Sequence, residues 1–291
     1  MIIDAHNHPD WWFITREKFV EDMDRNGIDK TWLLSCEMSE TDYNPADKIY
    51  YTASAFNGGT AIPFERAIPY AEKYPERFIL GFAPNPKIPG AVRRLEQAVK
   101  TYGVKVCGEM KFRMLADDYD AIELYRWCGE NGLPVVMHLE LPFPCSSGEY
   151  PRQGYWYNGT IDALERAMKA APDTVFVGHA PAFWAEISGD GLANKVSYPT
   201  GKVLPGGKLI KLLDKYKNLY CDISAGSGLN GISRDREFGK KFLNDYRERI
   251  LYARDSFRMN HKKFLLSLGL EQETLDCIFY KNALRLTHDD K

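Results

Sequence analysis

The run Asp4-Ala5-His6-Asn7-His8 stands near the start of the sequence, and the single residue between its histidines puts both imidazoles on one face of an extended segment. Three more groups of the same chemical kind end later apolar runs: His138 after 134–137, His179 after 175–178, and Asp255 just beyond 250–252. Imidazole and carboxylate are the ligands that zinc and similar borderline cations take. Four or five of them converging around an open coordination position would make a catalytic metal site. Taken singly, each has an ordinary structural use, since a histidine at a strand end is usually hydrogen-bonded and Asp255 would cap the helix that follows. Joint placement is what favours the metal. His261 and His288 lie in charged surroundings and are given no such role.

Placement depends on the elements. Short apolar runs alternate with longer amphipathic segments along the chain, so strands are expected over 1–5, 30–35, 78–82, 104–112, 134–139, 174–179, 218–223 and 249–252. Helices are expected over 16–26, 63–73, 90–102, 119–131, 160–171, 207–216, 237–247 and 258–268, with a ninth over 272–284. Asn26-Gly27 and Asn131-Gly132 offer the left-handed residue that stops a helix just before a strand begins. Eight strand–helix units at roughly 36 residues each predict an α/β fold, a (β/α)8 TIM barrel with an extra C-terminal helix, as a single domain over 1–291. An open doubly wound sheet would put a Gly-rich phosphate turn after its first strand, where this chain has His-Asn-His-Pro. The long connections, 36–62, 140–159, 180–206 and 224–236, all follow strands. In a barrel those loops gather at one rim, and active sites are built there.

The order His-x-His, His, His and Asp at the ends of strands one, five, six and eight resembles the amidohydrolase superfamily of metal-dependent hydrolases, over the whole chain. Pro75-Glu76-Arg77-Phe78, Gly178-His179-Ala180-Pro181 and Asn282-Ala283 resemble its amidohydrolase-related branch (amidohydrolase 2), which also contains aromatic-acid decarboxylases. Where relatives commonly read Gly-Thr-Asp or Gly-Ser-Asp, this chain has Ala253-Arg254-Asp255, with a bulky cation beside the aspartate. The resemblance implies that His6, His8, His138, His179 and Asp255 hold one or two divalent ions, zinc first and manganese as the other choice. It makes Asp255 the general base toward a water that the metal has acidified, and it frees His179 for acid–base or electrophilic work if only one ion is present.

Strand four bears on the number of ions. Glu109 and Lys111 share a face by the period of two. Two-metal relatives bridge their ions through a carboxylate or a carboxylated lysine here, and Gly108-Glu109 resembles the Gly-Glu pair of the deoxyribonuclease-like and phosphotriesterase-like branches. Glu109 is therefore the bridging candidate, with Lys111 pairing with it or holding an anionic substrate. A buried Glu–Lys ion pair is the structural alternative.

Substrate recognition is expected from the rim. Trp11, Trp12, Trp156 and Trp184 offer flat faces for sugar or aromatic rings, and Arg113, Arg152 and Arg234 offer partners for a carboxylate or phosphate, although rim packing would use at least half of such residues. The run from Ser224 to Gly228 is Gly-rich without the Lys-Ser/Thr ending of a nucleotide loop, and reads as a flexible turn. The expected activity is metal-dependent hydrolysis of a small carbonyl compound, a lactone, amide or ester such as a sugar-acid derivative. Non-oxidative decarboxylation on the same scaffold is the alternative. A histidinol-phosphatase type of phosphoesterase would need more histidines between His8 and His138, and a metal-stabilised binding protein would not need the full ligand set.

Composition bounds the partners. With 38 Lys plus Arg against 40 Asp plus Glu, the formal charge of -2 is too neutral for a nucleic-acid binder. No run approaches membrane-spanning length, and MIIDAHNHPD lacks the basic and apolar regions of a secretory signal, so a cytoplasmic enzyme is expected. A small molecule is the expected partner, and a homo-oligomer is compatible with it. The six cysteines form no Cys-x-x-Cys pair and read mainly as small buried hydrophobes.

Overall fold

The computed structural model describes residues 1–38, 62–142 and 156–288. Eight strands lie where the apolar runs predict them: β1 Ile3–Asn7, β2 Lys30–Leu33, β3 Phe78–Leu80, β4 Cys107–Met110, β5 Val135–His138, β6 Phe176–His179, β7 Leu219–Asp222 and β8 Ile250–Leu251. They pair in parallel in the order β1-β2-β3 and β4-β5-β6-β7-β8. Two seams close the ring. At one, Gly81 bridges Val106 and the Phe82 amide donates to the Val106 carbonyl at 2.9 Å; at the other, the Ala5 amide donates to Tyr252 O at 2.9 Å. The result is the α/β TIM barrel.

Strand side chains alternate between two cores. Ile3, Trp32, Ile79, Val136, Val177, Tyr220 and Leu251 from seven of the strands, with Val106 just before β4, fill the barrel, and Ala283 and Leu286 of the last helix close its base. Residues of the opposite phase, such as Leu33, Leu80, Val135, Phe176 and Cys221, pack outward against Phe19, Leu95, Leu124, Leu164 and Leu213 of the surrounding helices. Capping defines the helix ends. The Thr15 hydroxyl accepts from the Lys18 amide at the start of Arg16–Asn26, and Gly27 (φ 61) ends that helix in the left-handed region. Gly132 (φ 68) likewise follows Tyr119–Glu130. The five described cysteines are buried and unbridged; Cys145 lies outside the described residues.

Three expectations need correction. The stretch from Ser224 to Gly228 is no flexible turn but opens the helix Ala225–Ser233. Its glycines are there for close approach, since a Cβ at Gly228 would stand 2.1 Å from Ile223 O and one at Gly231 would stand 2.5 Å from the Trp184 ring. The closing helix is not continuous over 272–284 but runs Gln272–Asp276, a π-helical turn Cys277–Lys281, and Asn282–Thr287. Asn282 explains its attachment, because its side-chain amide donates to Arg247 O and Ile250 O at 2.7 Å each and ties the helix to β8. The fourth strand, expected over 104–112, spans only Cys107–Met110, and its register against β5 shifts between those two residues. Among the described residues no helix is long and apolar enough to cross a membrane.

Candidate metal centre

Strand phase brings the site together. Val136, Val177 and Tyr220 face the barrel axis, so two residues on His138, His179 and Asp222 face it at the rim. β1 and β4 do it differently. Ile3 and Ala5 face inward, and the register then shifts between Asp4 and Asn7, so His6 and His8 face inward out of phase with them. In β4 the shift past Cys107 does the same for Glu109 after Val106. Asn158 holds this end of β4 to β5, donating to Met110 O at 2.5 Å and His138 O at 2.9 Å.

Tautomers follow from the hydrogen bonds. His8 Nδ1 donates to Leu34 O at 2.9 Å, His6 Nδ1 to Asp222 Oδ2 at 2.5 Å, and His138 Nδ1 to Glu109 Oε1 at 2.6 Å. Each bond fixes Nδ1 as the donor and turns Nε2 toward the interior, where it can hold a proton or, once that is displaced, offer its lone pair to a cation. His6 Nε2 and His8 Nε2 stand only 3.3 Å apart, a contact that two lone pairs would resist unless a proton or a cation lay between them. His138 Nε2 and Asp255 Oδ1 are buried without a hydrogen-bond partner. These atoms fit a divalent cation.

Glu109 stands at the centre. Its Oε1 lies 3.7 Å from both His6 Nε2 and His179 Nε2, and its Oε2 lies 3.7 Å from His8 Nε2. The donor atoms form overlapping groups, His6 with His8 and Glu109, Glu109 with His138 and His179, and His6 with His179 and Asp222. Asp255 borders them, with Oδ1 3.5 Å from His8 Nε2 and Oδ2 3.9 Å from His179 Nε2. Electrostatics match this crowding. Burial would lower the His6 imidazole, but Asp222 and the other carboxylates lift it to about 10. Burial lowers His179 to about 4, helped by the neighbouring His6. Burial opposes ionisation of Glu109, yet His138, His6 and the Lys111 ammonium hold it well below the usual carboxylate range. Burial and Lys111 push His138 down, and Glu109 outweighs them to raise it.

The remaining sequence candidates separate. Lys111 is buried with its ammonium 5.1 Å from the centre of the Tyr157 ring. Trp11 packs 4.9 Å from His8 and donates its indole N–H to Asp255 O at 3.1 Å, while Trp12 is largely exposed beside it. Arg113 and Trp156 are half-buried. Arg152 lies outside the described residues. Trp184 does not line the rim: it is buried against Gly231 and Phe242 and donates to Asp222 O at 2.9 Å, so it supports a site residue from behind. Arg234 is also withdrawn from substrate, because its guanidinium binds Asp190 at 2.6 Å and the carbonyls of Thr200 and Gly201.

Sequence reasoning missed Asp222, Ser224 and Glu140. Asp222 holds His6 and lies 3.5 Å from His179 Nδ1, which Ser224 Oγ approaches to 2.9 Å; Glu140 Oε2 lies 3.6 Å from His138 Nε2. The signal for Asp222 was the period of two, which puts it on the face of Tyr220 in the predicted seventh strand.

An eight-stranded parallel barrel with imidazoles and carboxylates buried together at the C-terminal ends of its strands defines a TIM-barrel enzyme with a metal-type centre. The chain belongs to the amidohydrolase 2 family, described as amidohydrolase, whose profile matches residues 3–287. No curated protein matches the sequence. Solved structures share the fold across nearly the full length. An uncharacterised TIM-barrel protein from Bordetella bronchiseptica is 17% identical with a TM-score of 0.64, covering 98% of this chain and 97% of its own. A dihydroxybenzoic acid decarboxylase from Polaromonas, solved with manganese and the inhibitor 2-nitroresorcinol, is 16% identical with a TM-score of 0.61, covering 100% and 97%. A Pseudomonas putida protein provisionally assigned as a 2-pyrone-4,6-dicarboxylic acid hydrolase is 12% identical with a TM-score of 0.60, covering 100% and 98%.

Proposed function

We propose that this protein is a metal-dependent hydrolase of a small carbonyl compound, a lactone, amide or ester such as a sugar-acid derivative. The position of Glu109 carries this reading, because its carboxylate lies among all four histidines, with Oε1 toward His6, His138 and His179 and Oε2 toward His8, as a group shared by two ions would. His6, His8 and Asp255 would hold one ion, His138 and His179 the second. Zinc, or the manganese that the Polaromonas decarboxylase binds, supplies a Lewis acid and a water acidified to a pKa of about 7. The chain supplies the proton traffic and the orientation. Asp255, with Oδ1 free of hydrogen bonds, accepts the water proton and returns it to the leaving group. Lys111 faces a substrate anion from strand four, and Trp11 and Trp12 offer ring faces at the mouth.

Metal content tests the reading. The hydrolase is expected to take up two equivalents of zinc or manganese, Glu109→Gln to retain one, and Asp255→Asn to keep its ions at saturating metal while losing turnover on a panel of lactones and carboxylates. A folded protein that takes up no metal overturns it. The bond from His138 Nδ1 to Glu109 favours a second reading, in which Glu109 only orients His138 and a single ion serves decarboxylation, the activity named for a 2,6-dihydroxybenzoate decarboxylase that shares this fold. One equivalent, unchanged in Glu109→Gln, with carbon dioxide released from aromatic carboxylates, would establish that alternative.

A further inference from the structure

Arg254, the bulky residue that interrupts the Gly-Thr-Asp pattern, is fully buried between β1 and the helix Arg16–Asn26. Its Nε donates to Asp4 Oδ2 and its Nη1 to Asp22 Oδ2, both at 2.7 Å, while its own amide donates to Asp4 Oδ1 at 2.8 Å. Asp4 Oδ2 also accepts from Asn7 Nδ2 at 3.2 Å, and that amide reaches on to Ser256 O at 2.9 Å. Asn7 Oδ1 in turn accepts from the His8 amide at 3.0 Å. Between these anchors the Asp255 amide donates to His6 O at 2.9 Å and Asp255 O accepts from Trp11. Asp255 itself sits at φ 49, a left-handed conformation that a non-glycine residue keeps only where its surroundings over-determine it. The bonds from Arg254 to Asp4, from Asn7 to Ser256 O and from the Asp255 amide to His6 O join the residues around Asp255 to the segment that carries His6 and His8, and the bond to Asp22 anchors the far end of Arg254 in the first helix.

We propose that Arg254 is a positioning residue, which through Asp4 and Asn7 fixes the Asp255 carboxylate against His8. The proposal rests on the reading of Asp255 as a metal-centre residue. A buried ion triad can also serve stability alone, and the two roles differ in what they do to bound metal. Lysine keeps the charge of Arg254 but lacks the planar fork that spans Asp4 and Asp22 at once.

Zinc(II) and cobalt(II) are the probes, on the full chain. In Arg254→Lys, zinc affinity measured by chelator competition is expected to fall about tenfold or more, and the d–d bands of bound cobalt to shift, with the far-UV circular dichroism of the metal-free protein unchanged. Asp22→Asn, at the outer end of the network, is expected to show a smaller change of the same kind, and it carries the test if Arg254→Lys does not fold. In an Asp255→Asn background the Arg254 change is expected to add little, because both act on one carboxylate. Native zinc affinity and cobalt bands in Arg254→Lys overturn the proposal, as does a loss that persists undiminished in Asp255→Asn. If Asp255→Asn alone leaves affinity and bands native, the role of Asp255 in the proposed function fails, and the positioning role with it.

Discussion

His6 shows how one hydrogen bond sets the chemistry of a whole site. Asp222 fixes its tautomer and raises its pKa to about 10, so the metal-free protein at pH 7 carries a proton on His6 that a cation must displace. The sign follows directly. A raised imidazole pKa keeps the proton on at neutral pH, so metal affinity rises with pH, by up to about tenfold per unit, until His6 loses its proton near pH 10. Titration calorimetry of zinc binding in two buffers of different ionisation heat should therefore show proton release at pH 7. Asp222→Asn removes the carboxylate that holds this proton, so it should release fewer protons on binding zinc, and its zinc affinity should depend less on pH between 7 and 10. Equal proton release from both proteins would show that Asp222 does not govern His6.

Elements explain what was legible and what was not. The eight strands and most helices are written in hydrophobic period and in Asn-Gly stops, because each strand must bury one face inside the barrel and the other under a helix. His138, His179 and Asp255 were readable for the same reason, standing at the ends of those runs. His6 and Glu109 were named from the His-x-His spacing and from the Gly-Glu resemblance, but the register shifts in β1 and β4, which reverse the phase that a period of two would carry on from Ile3 and Val106, were not legible. The helix Ala225–Ser233 was misread because composition makes glycine look flexible, whereas here it makes room. Gly228→Ala should destabilise the protein by about 1–3 kcal/mol, since its Cβ would meet the rigid backbone of Ile223. Gly226→Ala meets only the Tyr198 side chain at 3.3 Å and serves as the control, so equal melting temperatures for the two variants would refute the close-packing account.

At the scale of the molecule, the ring is two arcs, one of three strands and one of five, joined by few hydrogen bonds at each seam. His6, His8 and the Leu34 carbonyl stand on the smaller arc, and Glu109, His138, His179, Asp222 and Asp255 on the larger. A cation seated among them would bind both arcs at once, adding its binding free energy to the closed ring. Zinc should then slow amide hydrogen exchange most at Ala5 and Phe82, whose N–H groups close the two seams, and less within β5 and β6. Uniform slowing across the barrel would contradict this. The centre would thus act as the clasp of a bracelet, and losing metal would open the barrel by unzipping at its joints rather than by melting of its strands.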